Sequence, residues 1–303
     1  MSVRCWRPAA ALLAVSCIAA SARAAECCFE RTMAVDANGT LDAASGSGDI
    51  KVVPGDNARV HVSGIVRASN GWLSGSGQAD VQRVCNEPPV EGGGGSVRVG
   101  QRHEDWMHNV SISYVIEVPR AFTVNARSGS GGLDLEDLSG SVTGNTSSGG
   151  IHALQLRGAK LNTSSGSIEA ENLSGDTRLG SSSGDIRARF SETASVDAGA
   201  SSGSVHLENV NGAVNAHASS GDVDISGKPM GPWDVHASSG SVHLHTPGGS
   251  NFQLRANASS GSINTALPLN SQSRDGRHSL EAQVGSGGPE VHVETSSGSI
   301  RID

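Results

Sequence analysis

Apolar and polar residues alternate with period two along most of this chain, in short runs punctuated by serine and glycine. Ile151-His152-Ala153, Ile168-Glu169-Ala170, Val205-His206-Leu207 and Val242-His243-Leu244 each put two apolar side chains on one face and a polar one on the other. That is the pattern of a half-buried strand. Each run follows a Ser-Ser-Gly turn, so turn and strand recur as one unit. The turn glycines are Gly149, Gly166, Gly184, Gly203, Gly221, Gly240, Gly261 and Gly298, with a looser copy at Gly131. Steps run from 17 to 21 residues as far as Gly261; the last, of 37, reads as two periods with a weak copy at Gly285-Ser286-Gly287-Gly288. A second turn signal falls midway, at Gly140, Gly158, Gly175, Gly212 and Gly231. A second alternating run, such as Val214-Asn215-Ala216-His217-Ala218, then leads into the next Ser-Ser-Gly.

Two short strands in each period of about 18 residues cannot form isolated hairpins at a constant step. They fit coils in which equivalent strands stack in parallel, about 4.8 Å apart. The predicted fold is therefore all-β, a single-stranded parallel β-solenoid of the β-helix or β-roll kind. Right-handed winding is the default for parallel crossovers. The turn glycine is expected to supply positive φ and the serines to bond the turn backbone. No helix is expected outside residues 1–24.

Three segments follow from these patterns. Residues 1–24 read as a signal peptide: Arg4 and Arg7, an apolar stretch from Ala9 to Ala20, then Ala22-Arg23-Ala24, with cleavage after Ala24 or Ala25. A rival reading takes Ala14-Val15-Ser16-Cys17 as a lipoprotein box with lipid on Cys17. Residues 25–127 are irregular β coils with a long inserted loop at about 69–100, which holds Trp72, Cys85, Pro88-Pro89 and Gly92-Gly93-Gly94-Gly95. Residues 128–303 are the regular repeats. The chain would then be exported, to the periplasm, the outer membrane or the cell surface.

Charge and cysteines narrow the partners. Without residues 1–24 the chain carries 19 basic side chains against 30 acidic ones, a net charge of −11. That disfavours nucleic acid and anionic lipid. Cys27, Cys28 and Cys85 remain, and in an oxidising compartment Cys85 should pair with Cys27 or Cys28. The leftover thiol would be buried or would link two chains. Aromatic residues make up only 3% of the chain, which argues against a ring-lined pocket.

Ser47-Gly48-Asp49-Ile50, then Tyr114-Val115-Ile116-Glu117-Val118-Pro119, then the serial Ser-Ser-Gly repeats resemble a bacterial envelope family, the "putative adhesin" β-strand-repeat family, a domain of unknown function. The resemblance covers roughly residues 30–303. It implies an exported β-solenoid and transfers no catalytic residues.

Candidate chemistry lies in two stacked columns. The third residue after each turn glycine gives Asp134, His152, Glu169, Arg187, His206, Asp224, His243 and Asn264. Opposite charges on neighbouring strands would fix register. A sharper reading makes His206, Asp224 and His243 a metal site. The fourth residue before the glycine gives Asn145, Asn162, Gly180, Gly199, His217, His236 and Asn257, an asparagine ladder in which adjoining His217 and His236 would cost stability below about pH 6. Asp49, Asp185 and Asp222 follow turn glycines, but their period does not match the calcium-binding nonapeptide. Trp72 and Trp106 would cap the coil end or stack on a sugar.

No catalytic residue and no cofactor site is assigned. The expected function is a non-enzymatic binding or adhesin-like envelope scaffold for an unknown protein or glycan. A polysaccharide-active β-helix enzyme and a self-assembling structural protein are the alternatives. The last rests on Ser299-Ile300-Arg301-Ile302-Asp303, which reads as an uncapped coil open to end-to-end association.

Overall fold

The computed structural model describes residues 26–68, 76–100 and 110–303. Residues 1–25, Trp72 and Trp106 lie outside them, and with them the signal-peptide and tryptophan expectations. In chain order the elements are β1 (Glu26–Ser45), β2 (Ile50–Pro54), β3 (Arg59–Ala68), α1 (Ser76–Asn86), β4 (Val90–Val99), β5 (Val110–Val118), β6 (Thr123–Ser128) and β7 (Leu133–Leu138). The repeats supply β8 (Val142–Thr146), β9 (Ile151–Thr163), β10 (Ile168–Ser181), β11 (Ile186–Phe190), β12 (Val196–Ala200), β13 (Val205–Ala218) and β14 (Val223–Ala237). The C-terminal part adds β15 (Val242–His245), β16 (Phe252–Ala258), β17 (Ile263–Thr265), β18 (Leu269–Asp275), β19 (Ser279–Val284), β20 (Glu290–Thr295) and β21 (Ile300–Ile302).

These strands join one mixed 21-stranded sheet that runs as two parallel ladders. Strands after the Ser-Ser-Gly turn form one ladder: β2, β7, β9, β10, β11, β13, β14, β15, β21 and β17. Strands before it form the other: β1, β6, β8, β9, β10, β12, β13, β14, β20 and β16. The inward side chains are fully buried and mostly small, among them Ala153, Leu161, Leu179, Ala198, Ala216 and Ile225. Aliphatic columns of this size let the ladders pack closely, with each coil resting on the next.

The turn glycines have a reason other than the expected one. None of the eight has positive φ. A Cβ on Gly149 would lie 2.0 Å from the carbonyl oxygen of Gly131, and one on Gly166 would lie 2.0 Å from that of Gly149. Coil-on-coil approach, not backbone hand, demands glycine. Positive φ belongs to the opposite turn, at Gly158 and Gly175, and at Asp137, Gln155, Asn172 and Asn209. Those polar residues tolerate the left-handed region better than β-branched ones.

Both ends depart from sequence order. The coil of β1 and β2 is not outermost: β4 and β5 lie outside it, and β6 and β7 inside. At the far end the coil of β20 and β21 slots between that of β14 and β15 and that of β16 and β17. Gly298 consequently stacks on Gly240, and Gly261 on Gly298. The C-terminal strand therefore has both edges paired, which removes the open coil end read from the sequence. Gly285-Ser286-Gly287-Gly288 is no coil turn; it links β19 to β20, with positive φ at Gly285 and Gly287. At one end the antiparallel strand β3 lies against both β5 and β1; at the other, β19 and β18 lie antiparallel beyond β16, the last strand of the pre-turn ladder. Antiparallel closure of this kind blunts an edge that a parallel stack would leave templating.

The segment expected as a loop at 69–100 contains an 11-residue helix and β4. Val81, Val84 and Cys85 recur at helical spacing; the two valines are buried and Cys85 is packed against the same core. The Cys27–Cys85 disulfide ties α1 to β1. Cys28 is engaged as well.

Candidate binding surface

Alternation fixes what the outside shows. In each strand the residues between the buried ones point away from the core, and parallel stacking sets them one above another in straight columns. On the post-turn ladder the register reads Lys51, Asp134, His152, Glu169, Arg187, His206, Asp224, His243, Arg301 and Asn264. The column read from the sequence is present, with two cations that linear order hides: Lys51 at its head, and Arg301 between His243 and Asn264.

Its members pair along the column. Lys51 Nζ donates to Asp134 Oδ2 at 2.7 Å and to Glu136 Oε1 at 2.5 Å. Burial alone would lower the lysine, but these carboxylates outweigh it and hold the ammonium above the ordinary lysine range. Burial would likewise raise Asp134, yet hydrogen bonds from Lys51 and His152 keep it below the usual carboxylate range. His206 Nε2 lies 2.9 Å from Glu208 Oε1, and its Nδ1 lies 3.6 Å from Asp224 Oδ2. The bond from His206 and a second from Arg189 hold Glu208 low. His243 Nε2 lies 2.6 Å from Asp303 Oδ1 and depresses that carboxyl in turn.

His206, Asp224 and His243 thus occupy consecutive coils, but His243 turns its Nε2 to Asp303. Among the described residues no cluster of three or more histidine, cysteine or carboxylate side chains is arranged to hold a metal ion. The turn aspartates have a different task. Asp49 Oδ1 accepts from Gly132 N at 2.8 Å, Asp185 Oδ1 from Ser204 N at 3.0 Å, and Asp222 Oδ1 from Ser241 N at 2.7 Å. Each ties its coil to the next. The bond from Ser204 is the main reason Asp185 stays below the usual carboxylate range.

The pre-turn ladder carries two outward columns. One runs Arg127, Asn145, Asn162, Gly180, Gly199, His217, His236, Glu294 and Asn257. Asn162 Nδ2 donates to Asn145 Oδ1 at 3.3 Å, the expected amide ladder. His217 and His236 adjoin as expected, but the inserted coil places Glu294 on the far side of His236, with oxygen and nitrogen 3.8 Å apart. The other column runs Asn125, Thr143, Lys160, Arg178, Asp197, Asn215, Asp234, His292 and Arg255. Where Gly180 and Gly199 follow each other, the first column loses its side chains. A groove of about 700 Å³ opens there, bordered by Asn162, Arg178, Asp197 and His217. Sequence order showed the two glycines as a gap in a ladder; only stacking shows that the gap is a depression with a charged rim.

Comparison with known proteins gives a family and a general likeness. The family model described as Toastrack DUF4097 matches residues 107–303, well over half the chain. No curated protein matches. Among solved structures, a "putative cell adhesion protein" from Clostridium sporogenes is 12% identical, covers 91% of this chain and 98% of its own, and has a TM-score of 0.26. A "putative adhesin" from Bacteroides fragilis is 11% identical, covers 91% of this chain and 97% of its own, and has a TM-score of 0.39.

Proposed function

Because this chain belongs to the Toastrack DUF4097 family, a domain of unknown function, we propose for it a role as an exported, non-enzymatic binding scaffold of the cell envelope. Its coils are read as right-handed, the default for parallel crossovers. One observation supports this most: two ladders display polar side chains in columns that repeat coil by coil along their outward faces. Such a surface suits an extended partner better than a small substrate, which is usually held in a concave apolar pocket.

The perturbed carboxyls Asp134, Asp185, Glu208 and Asp303 are held ionised by their partners. They set register between coils.

Fractionation of the source cells tests the reading. The expected result is a chain processed after Ala24 or Ala25 and absent from the cytoplasmic fraction. Antibody or protease accessibility on intact cells then separates a surface role from one inside the envelope. An unprocessed, cytoplasmic chain would overturn the proposal.

A further inference from the structure

The pre-turn ladder has one stretch unlike the rest of this acidic protein. From Asn125 to Gly180 its two outward columns contain Asn125, Arg127, Thr143, Asn145, Lys160 and Asn162, then Arg178 and Gly180, with no carboxylate among them. Asp42 and Asp197 bound the stretch within the ladder, and Asp176 stands at the corner with Arg157. Arg127, Lys160 and Arg157 are exposed, and among the described residues none has an acidic partner. Lys160 and Arg178 also face each other on adjacent strands, a like-charge opposition that costs stability unless something neutralises it. Arg178 relieves part of it by donating from Nε to Asp197 Oδ2 at 2.8 Å, leaving Lys160 unneutralised.

We infer that this patch binds an acidic polysaccharide lying along the stack. The cations answer the carboxylate or sulfate groups. The amides of Asn145 and Asn162 and the hydroxyls of Ser147 and Ser164 face the same groove and offer donors and acceptors to sugar hydroxyls. Gly180 has no side chain of its own, and Asn162 Oδ1 lies over it, 2.7 Å from where a Cβ would stand, which sets an acceptor on the groove floor. Successive coils repeat at about 4.8 Å, so a polymer can be gripped at several points without any deep cavity. The inference rests on the binding-scaffold reading and gives that scaffold a ligand class.

The test uses the mature chain with polygalacturonate, dextran sulfate, neutral dextran and polyglutamate as probes, at two ionic strengths. Binding to one or both acidic glycans is expected, weakened by salt and absent for neutral dextran. Arg127→Ala combined with Lys160→Ala should weaken it about tenfold, the scale of two surface charge contacts. Lys228→Ala, an exposed cation on another strand segment, should leave it unchanged. Which acidic glycan binds separates carboxylate from sulfate recognition. Equal binding by the double variant, equal binding of polyglutamate, or no binding to either acidic glycan would overturn the inference. A chain that is exported yet binds neither would lose the ligand class and keep the scaffold; a cytoplasmic chain would lose the scaffold itself.

Discussion

The two halves of the repeat stack hold their turns differently. In the first, the residue just before Ser-Ser-Gly or its looser copy is Ser128, Thr146, Thr163 or Ser181. Each buried or half-buried hydroxyl accepts from the turn glycine of its own coil and donates to a carbonyl of the preceding one. Thr163 Oγ1 accepts from Gly166 N at 3.0 Å and donates to Gly149 O at 3.1 Å. In the second half the same position is Ala200, Ala218, Ala237 and Ala258. Only the inserted coil restores the clamp, through Thr295, which donates to Gly240 O at 2.8 Å. The alanine half carries most of the histidine–carboxylate pairs, at His206, His236, His243 and His292, while turn aspartates serve both halves, Asp185 bonding Ser204 N and Asp222 bonding Ser241 N. One turn shape thus survives two sets of supports, so the part common to both must carry most of its specification.

That common part is the glycine. Gly166→Ala in the clamped half and Gly221→Ala in the alanine half should each cost about 3 kcal/mol, the upper range for overpacking against a rigid neighbour. In both, the new Cβ would meet a backbone carbonyl about 2 Å away, at Gly149 and Gly203 respectively. Urea denaturation of the two variants checks this. A harmless Gly221→Ala would show that the alanine coils have slack, and that the hydroxyls rather than the glycines hold the coils close.

Reciprocal exchange at the clamp tests the difference directly. Thr163→Ala leaves the Gly166 N–H and the Gly149 carbonyl without their hydroxyl, an expected loss of about 1–3 kcal/mol. Ala218→Thr should gain about 1 kcal/mol by supplying the same two bonds to Gly221 and Gly203. Melting temperatures moving in opposite directions would establish the hydroxyl as an optional support. If Ala218→Thr destabilises, the alanine half is packed too tightly for the extra atoms.

Much of the middle was readable from sequence, because a period near 18 converts linear spacing into vertical neighbours. The turn glycines, the Asp–His column and the asparagine ladder all followed from it. The ends were not, for a physical reason. Gly298 lies against Gly240 across the whole of β16 to β19, and Gly131 lies against Gly48 across β3 to β5 and α1. Hydrogen bonding between coils depends on geometry, and nothing in the repeat motif says which coil is inserted where. The helix had a signal in Val81, Val84 and Cys85, but one short apolar stripe in a glycine-rich stretch resembles a loop. The turn glycine was located correctly and misexplained, since a close approach between coils leaves the same residue as a positive φ would.

The smallest effect expected is the pH response, and it too separates the halves. Glu208 and Asp303 in the alanine half, and Asp134 and Asp185 in the first coils and the clamped half, have carboxyls held below their ordinary values. A carboxyl depressed on folding contributes stability that is fully present above its unfolded value and is lost as pH falls through the folded one. The loss should therefore begin near pH 4.5 for the glutamate and near 3.8 for the aspartates, and continue below. Each group is partly exposed and screened, so each is worth only a few tenths of a kcal/mol. Glu208→Gln and Asp303→Asn together should flatten this acid-side decline in the alanine half while leaving the clamped half unchanged. Hydrogen exchange between pH 5 and pH 3, resolved by peptide, reads both halves at once. No difference between the double variant and the parent across that range would mean that these two carboxyls add nothing measurable to the stability of the alanine half.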